Sequence, residues 1–155
     1  MARELKPTEF RAWQAFLDAQ ATVLRRLEAD LVAADGMTLA EFDVLIQLRL
    51  AADRRLRMTD LSERVRLSPS GVTRLVDRLA REGLIKRLRC ASDRRGTWAI
   101  LTAAGRERID RVTPIHLRGV RDYFARRISS GQMSNLAAAL EGVARDRSTS
   151  VSSAS

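Results

Sequence analysis

Two short runs of the sequence carry side chains that can contact a polyanion. In Ser68-Pro-Ser-Gly-Val-Thr-Arg74, small hydroxyl-bearing residues precede an arginine, and Arg78 follows about one helical turn later. In Asp93-Arg-Arg-Gly96, two permanent cations lie between turn-forming residues. Arginine binds phosphate oxygens and the paired acceptors of guanine, so both runs have the chemistry of nucleic-acid recognition.

The charge of the chain is concentrated around these two runs. The 155 residues carry a formal net charge of +9, and the block from Arg54 to Arg95 contains 13 basic and five acidic residues. This block therefore holds +8 of the total. Charge that served only solubility would be spread along the chain, whereas a concentrated block is typical of a polyanion-binding surface.

Several other classes of function find no support in the sequence. The chain has one cysteine, Cys90, and one histidine, His116, which excludes an internal disulfide and argues against a zinc site. It has no glycine-rich phosphate loop and no spacing typical of a nucleophile with its base, so we expect no catalytic residue, no metal and no cofactor, and therefore no enzyme. No apolar run approaches the ~18 residues of a membrane span, and the N-terminal residues lack an apolar signal region. We expect a cytoplasmic protein without a membrane partner.

Periodicity and capping signals predict the elements that precede the first run. Apolar residues at spacings of three, four and seven predict a long helix from about Pro7 to Ala33. Thr38 and Glu41 have the spacing of a capping box. They begin a second helix that runs to about Ala52, and a basic link follows.

The next two helices form a helix-turn-helix. Thr59 is the predicted N-cap of a short helix that ends near Leu67. Ser68 at an N-cap and Pro69 behind it begin the following helix, which Gly83 ends. Small residues at its start allow close approach to DNA, and a helix N-terminus favours phosphate. The predicted DNA-binding residues of this recognition helix are Ser68, Ser70, Thr73, Arg74 and Arg78.

A basic hairpin and two further helices complete the predicted fold. Leu84 to Cys90 and Thr97 to Leu101 have the pattern of two strands, and Thr102 caps a long helix. The fold class is mainly α with a small β-hairpin wing, that is, a winged helix-turn-helix domain with helical dimerisation arms. The predicted boundaries are 1–36 for the N-terminal dimerisation helix, 37–102 for the DNA-binding domain, 103–147 for the C-terminal dimerisation helices and 148–155 for a disordered tail.

From Thr59 to Glu107 the sequence resembles the MarR family of bacterial transcriptional regulators. The resemblance rests on TDLSERVRLSPSGVTRLVDRLAREGLIKRLRCASDRRGTWAILTAAGRE, and above all on Asp93-x-Arg95-Gly96 followed by Leu-Thr. The order of a long helix, a DNA-binding core and two C-terminal helices also agrees. The resemblance implies that Arg95 enters the minor groove and that Asp93 supports the wing. We interpret Arg94, at a position where the family varies, as a phosphate contact.

The resemblance also implies an assembly and a mode of action. The expected partners are a second copy of the chain, joined through the first, fifth and sixth helices, and a pseudo-palindromic operator in double-stranded DNA. The implied function is a sequence-specific regulator in the bacterial nucleoid, a repressor released from its operator by a small aromatic or phenolic effector. The alternative is a nucleoid or RNA-binding protein without sequence preference.

Some side chains keep two interpretations each. Trp13 and Phe16 either line a small-molecule pocket, as the resemblance suggests, or pack in the core. Cys90 is either redox-active or a packing residue of its strand. His116 is either a ligand-binding residue or a helix-face residue at the dimer interface. The apolar stripes of the terminal helices either meet a second chain or pack only within one.

Overall fold

The computed structural model describes residues 4–65, 67–89 and 96–145, which form six α-helices and a three-stranded sheet. The elements are α1 (Pro7–Asp35), α2 (Leu39–Leu50), β1 (Arg55–Arg57), α3 (Met58–Arg64), α4 (Pro69–Arg81), β2 (Ile85–Arg89), β3 (Thr97–Leu101), α5 (Ala103–Tyr123) and α6 (Ser130–Arg145). Single-turn 3₁₀ helices lie at Ala52–Arg54 and Ala125–Arg127. The predicted fold class, mainly α with a small β wing, is confirmed.

Local side-chain chemistry explains where the first two helices begin and end. Helix α1 continues to Asp35, where Gly36 at φ 71° donates its backbone N–H to the Val32 carbonyl oxygen. A positive φ of this kind costs glycine little. The predicted capping box of α2 is confirmed, since Glu41 Oε2 accepts from Thr38 N at 2.7 Å and Thr38 Oγ1 accepts from Glu41 N at 3.2 Å.

The prediction for the segment between α2 and α3 is wrong. It is not a plain link, because Arg55–Arg57 form the edge strand β1. The strand holds Arg57 in an extended conformation, so α3 begins at Met58 with Arg57, not Thr59, at the N-cap. The Thr59 hydroxyl instead faces the Asp60 carboxylate at 3.5 Å. Helix α3 ends at Arg64, earlier than the predicted end near Leu67.

The three strands pair antiparallel in the order β1-β3-β2 and have two different faces. The paired residues Leu56 and Ala99, and likewise Ile85 and Leu101, are all buried. Because side chains alternate along a strand, these residues define the inner face. The residues that alternate with them lie on the outer face and include Arg55, Arg57, Lys86 and Trp98.

The hydrophobic core lies where α2, α3, α4 and α5 meet the inner face of the sheet. Burial of each large aliphatic side chain stabilises the fold by roughly 1.5–3 kcal/mol. The core therefore provides a rigid base for α4 that does not involve the exposed side of this helix. The largest of its fully buried side chains are Leu31, Met37, Val44, Leu45, Leu48, Leu61, Val72, Val76, Leu79, Ile109 and Val112.

Helices α1 and α5 pack closely around Gly119, where a Cβ atom would lie 2.6 Å from Leu27 Cδ2. Beside it, the Tyr123 hydroxyl donates to Asp30 Oδ2 at 2.7 Å. This hydrogen bond, assisted by burial, raises the pKa of Tyr123 above its ordinary value. The guanidinium of Arg26 lies 5.0 Å from the centroid of the same ring.

The outer parts of the terminal helices remain uncovered in one chain. Helix α6 has no buried residue among those described, so its apolar stripe is not covered within one chain. The large hydrophobic residues left exposed on α1 and α6 are Phe10, Trp13, Phe16, Leu17, Val32, Leu140 and Val143. The predicted disordered tail, 148–155, lies outside the described residues. Within the described ranges, no helix has the length and apolar character to cross a membrane.

Candidate nucleic-acid interface

Helix α4 begins as the sequence predicts. Ser68 is extended and its Oγ accepts from Gly71 N at 3.1 Å, while Pro69 occupies the first helical position. The hydroxyl oxygens of Ser68 and Ser70 lie 3.3 Å apart at this exposed end. Gly83 follows the helix at φ 76°. The first turn, Ser68 to Gly71, thus has only small side chains, so a DNA backbone can approach it closely.

The two sides of α4 differ sharply in burial. Val72, Leu75, Val76 and Leu79 are buried in the core. The residues predicted to bind DNA, Ser68, Ser70, Thr73, Arg74 and Arg78, are all exposed. The structure therefore brings these five together on the accessible side of one helix, although their contacts with DNA stay a prediction. The Thr73 hydroxyl donates to the Pro69 carbonyl oxygen at 3.1 Å, which leaves its oxygen free to accept.

Three ion pairs connect α4 to three other elements. Arg78 Nη2 lies 2.7 Å from Glu41 Oε1 on α2. Asp77 pairs with Arg87 on β2. Glu82, the residue after the helix, lies 3.5 Å from Arg108 Nη1 on α5. The sequence predicts Glu41 only as a capping residue, and these pairs escape prediction because their partners are far apart in the chain.

The wing strands β2 and β3 pair antiparallel, and the second run of arginines lies between them in the sequence. The register pairs Arg89 with Thr97, so the hairpin connection spans residues 90–96. Cys90, Asp93, Arg94 and Arg95 lie outside the described residues, and their predicted roles stay predictions. The Asp77–Arg87 pair joins β2 to α4 and so relates the direction of the wing strand to that of the helix.

The outer face of the sheet adds cations that lie outside both arginine-containing runs, residues 68–74 and 93–96. The Cζ atoms of Arg55 and Arg57 lie 4.9 and 5.4 Å from the centroid of the Trp98 ring. Such cation–π contacts restrict long side chains that would otherwise sample many rotamers. The basic block thus includes an ordered arginine pair beside the base of the wing.

The remaining candidate residues lie on the helical arms. The Trp13 and Phe16 ring centroids are 6.1 Å apart, and the residues are 53% and 42% exposed, so core packing within one chain is wrong for both. A ligand role for them stays a prediction. His116 stacks on Phe42 of its own chain with ring centroids 4.2 Å apart, which gives it a place in intramolecular packing. In the described ranges, no cluster of three His, Cys, Asp or Glu residues could hold a metal ion.

The fold and this surface define a winged helix-turn-helix protein with helical arms. A family model described as "MarR family" matches residues 35–96. Sco3205, a MarR family transcriptional regulator from Streptomyces coelicolor in complex with DNA, is 30% identical, with a TM-score of 0.91 over 99% of this chain and 97% of that one. AbsC, a MarR family transcriptional regulator from the same organism, is 32% identical, with a TM-score of 0.87 over 94% and 97% of the two chains. The chain belongs to the MarR family.

A repressor from another bacterium shares part of the sequence. The HTH-type transcriptional repressor YetL of Bacillus subtilis (strain 168) is 33% identical over 84 residues, or 54% of this chain and 50% of YetL. The match therefore spans about half the length of that protein.

Proposed function

We propose that this chain is a transcriptional regulator that binds double-stranded DNA in a sequence-specific manner. The observation that carries the proposal is α4, with its buried apolar side and its exposed Ser70, Thr73 and Arg74 behind a capped, accessible N-terminus. Side chains of this kind bind base edges in the major groove. The similarity to Sco3205, whose structure was solved in complex with DNA, supports the same use of the fold.

The proposed regulator acts as a homodimer on a pseudo-palindromic operator. The exposed apolar residues of α1 and α6 support this assembly, since a second copy would cover them. One recognition helix contacts too few base pairs to select one site in a genome. Two helices in a dimer with half-site centres about one DNA turn apart, roughly 10 bp, would double the contacted sequence.

We further propose repression that a small aromatic or phenolic effector relieves. Repression is supported by the similarity to YetL, a transcriptional repressor. An aromatic effector fits the half-exposed Trp13 and Phe16, whose rings offer a stacking surface on the arm. Binding there would shift the spacing of the two recognition helices only if the effector prefers one arrangement of the arms.

Selection of bound fragments from random duplex DNA tests the proposal. The expected result is one palindromic motif bound about a thousandfold more tightly than random duplex, with log K falling against log salt at a slope steeper than about −5. Repeating the selection with aromatic acids and phenols identifies an effector by loss of bound DNA. Equal affinity for all duplexes or for RNA would instead support the nucleoid or RNA-binding alternative.

A pair of matched variants connects the result to α4. Arg74→Ala should weaken operator binding by about 1–3 kcal/mol, the scale of one base contact. Arg145→Ala removes an arginine that is 77% exposed on α6, and it should leave operator affinity unchanged. Equal losses in the two variants would show that only total charge matters and would contradict a reading role for α4.

A further inference from the structure

Glu41 is a carboxylate buried next to the recognition helix. It is 7% exposed, and it is the single charged or polar residue among the buried residues of the described ranges. A buried carboxylate requires partners for both oxygens. Oε2 accepts from Thr38 N at 2.7 Å and from Thr38 Oγ1 at 2.9 Å, and Oε1 accepts from Arg78 Nη2 at 2.7 Å. Both oxygens are thus used, one for the helix cap and one for Arg78.

The arginine at the other end of this ion pair remains accessible. The Arg78 side chain is 48% exposed, so only one edge of its guanidinium is committed to Glu41. A guanidinium is planar and has N–H groups in a fixed fork, so fixing one nitrogen while the side chain is anchored on α4 restricts the direction of the others. Arg78 therefore presents a preoriented set of donors on the exposed side of the helix.

Contacts other than this ion pair also hold α4 in place. The helix is fixed by the core side chains Val72 and Leu79, by the Ser68 cap and by the Asp77–Arg87 pair. About half of the Arg78 side chain remains accessible beside this ion pair, so its guanidinium has N–H groups left for a further partner. The effect of Glu41 on its accessible partner is therefore to set the orientation of the Arg78 guanidinium.

We propose that Glu41 is a positioning residue for DNA recognition, which orients Arg78 toward one pair of hydrogen-bond acceptors on the operator. The inference rests on the proposed DNA-binding function. The acceptors are either guanine O6 and N7 or two phosphate oxygens, which share the geometry that a planar fork fits. Glu41 itself makes no contact with DNA in this proposal and acts through Arg78.

A double-mutant cycle tests the inference. The selected operator and a random-sequence duplex are each titrated with four proteins: the full-length wild type, Glu41→Gln, Arg78→Ala and the double variant. Glutamine preserves the capping box but removes the charge that orients Arg78. We expect Glu41→Gln to weaken operator binding about tenfold and to have no further effect in the Arg78→Ala background. An equal loss in both backgrounds, or no loss in either, overturns the positioning role.

Two additional measurements make the result specific. Thr38→Ala removes the hydroxyl half of the cap but leaves Oε1 free to bind Arg78, so it should lower the melting temperature while operator affinity stays within about twofold. The affinities of wild type and Glu41→Gln for operators altered at single base pairs show whether Arg78 binds guanine or phosphate. Loss of preference at one base pair per half-site in Glu41→Gln indicates guanine, and an unchanged preference with a salt slope reduced by about one per subunit indicates phosphate. If Thr38→Ala weakened operator binding as much as Glu41→Gln does, the effect would come from the helix cap, and the proposal would be overturned.

The inference and the proposed function fail in different ways. A wild-type protein that selects no motif contradicts sequence-specific regulation, and the cycle on random duplex then still measures whether Glu41 acts through Arg78. A wild-type protein that selects a motif but shows no coupling between the two residues contradicts only the inference.

Discussion

Arg108 on α5 donates from Nε to Asp35 Oδ2, at the end of α1, over 2.7 Å, and Arg111 Nη2 lies 2.8 Å from the other carboxylate oxygen. The Asp35 side chain is only 10% exposed. Burial alone would raise the pKa of Asp35, but the hydrogen bonds and charges of Arg111 and Arg108 outweigh it, so the pKa lies below its ordinary value. This cluster joins the first arm helix to the base of α5.

We expect Asp35→Asn to lower the free energy of unfolding by about 1.5–3 kcal/mol at pH 7, because it removes charge-assisted hydrogen bonds. Because the pKa of Asp35 is lower in the folded state than its ordinary value of 3.8, ionised Asp35 stabilises the folded protein at pH values above 3.8. This contribution is lost as the pH falls through the folded-state pKa. Urea denaturation at about pH 7 and about pH 3 should therefore show the wild type and the variant converging at the lower pH. The exposed Asp18→Asn serves as the control, and a difference independent of pH would contradict the role of the ion pair.

His116 predicts a second pH dependence, at higher pH. Its Nδ1 is buried without a hydrogen-bond partner among the described residues, and burial lowers the pKa of the imidazole from 6.5, opposed in part by Asp43. Below pH 6.5 the unfolded chain binds a proton that the folded chain resists, so stability falls as pH decreases through this range. His116→Phe should retain the stacking on Phe42 and remove this decrease between about pH 7 and pH 5. A decrease of the same size in the variant would show that other groups cause it.

Gly105 is a position where only glycine fits. A Cβ atom there would overlap the Leu84 carbonyl oxygen and lie 2.7 Å from Leu101 Cδ1. We expect Gly105→Ala to destabilise the fold by at least about 1–3 kcal/mol, since backbone cannot yield as a flexible side chain does. Gly142→Ala on α6, where a Cβ atom would meet nothing within 4 Å, is the matched control. It should be stabilising by about 0.5–1 kcal/mol, and thermal unfolding of the two variants decides the matter.

Arg95→Ala tests the wing. Because a narrow minor groove concentrates negative potential, we expect the substitution to weaken operator binding by about 1–3 kcal/mol while the protein stays folded. Fluorescence anisotropy with labelled operator measures this loss. Arg94→Ala, at the predicted phosphate contact, should cost less and should affect all duplexes alike. Unchanged operator affinity in Arg95→Ala would remove this residue from the interface.

Deletion of residues 130–155 tests the arms. Helix α6 buries no described residue in one chain, so its loss should leave the core intact but remove part of the surface that a second copy would cover. We expect a monomeric or aggregating protein without specific DNA binding, as measured by sedimentation and by operator titration. A truncated dimer that still binds its operator would place the interface elsewhere.

The sequence predicted those parts of the molecule that depend on neighbours a few residues away. The start of α4 at Ser68 and Pro69 and its end before Gly83 were predicted correctly, because capping bonds join residues about three apart. Strand β1 escaped prediction because Arg-Leu-Arg has no strand pattern of its own and forms only by pairing with β3, more than 40 residues later. The Glu41–Arg78 pair, 37 residues apart, escaped for the same reason. The spacing of apolar residues also predicted the apolar side of α1. It could not predict that Trp13 on that side remains exposed in a single chain.

The separation of the two sides of α4 has a consequence for how proteins with this fold diverge. The apolar side and the ion pairs of Asp77 and Glu82 fix the helix, while Ser70, Thr73 and Arg74 contribute little to the core. Under the proposed function, substitutions at these three positions alter which operator is preferred at little cost in stability. Duplicated genes encoding such a helix can acquire new regulatory targets through a few surface changes, without passing through unfolded intermediates.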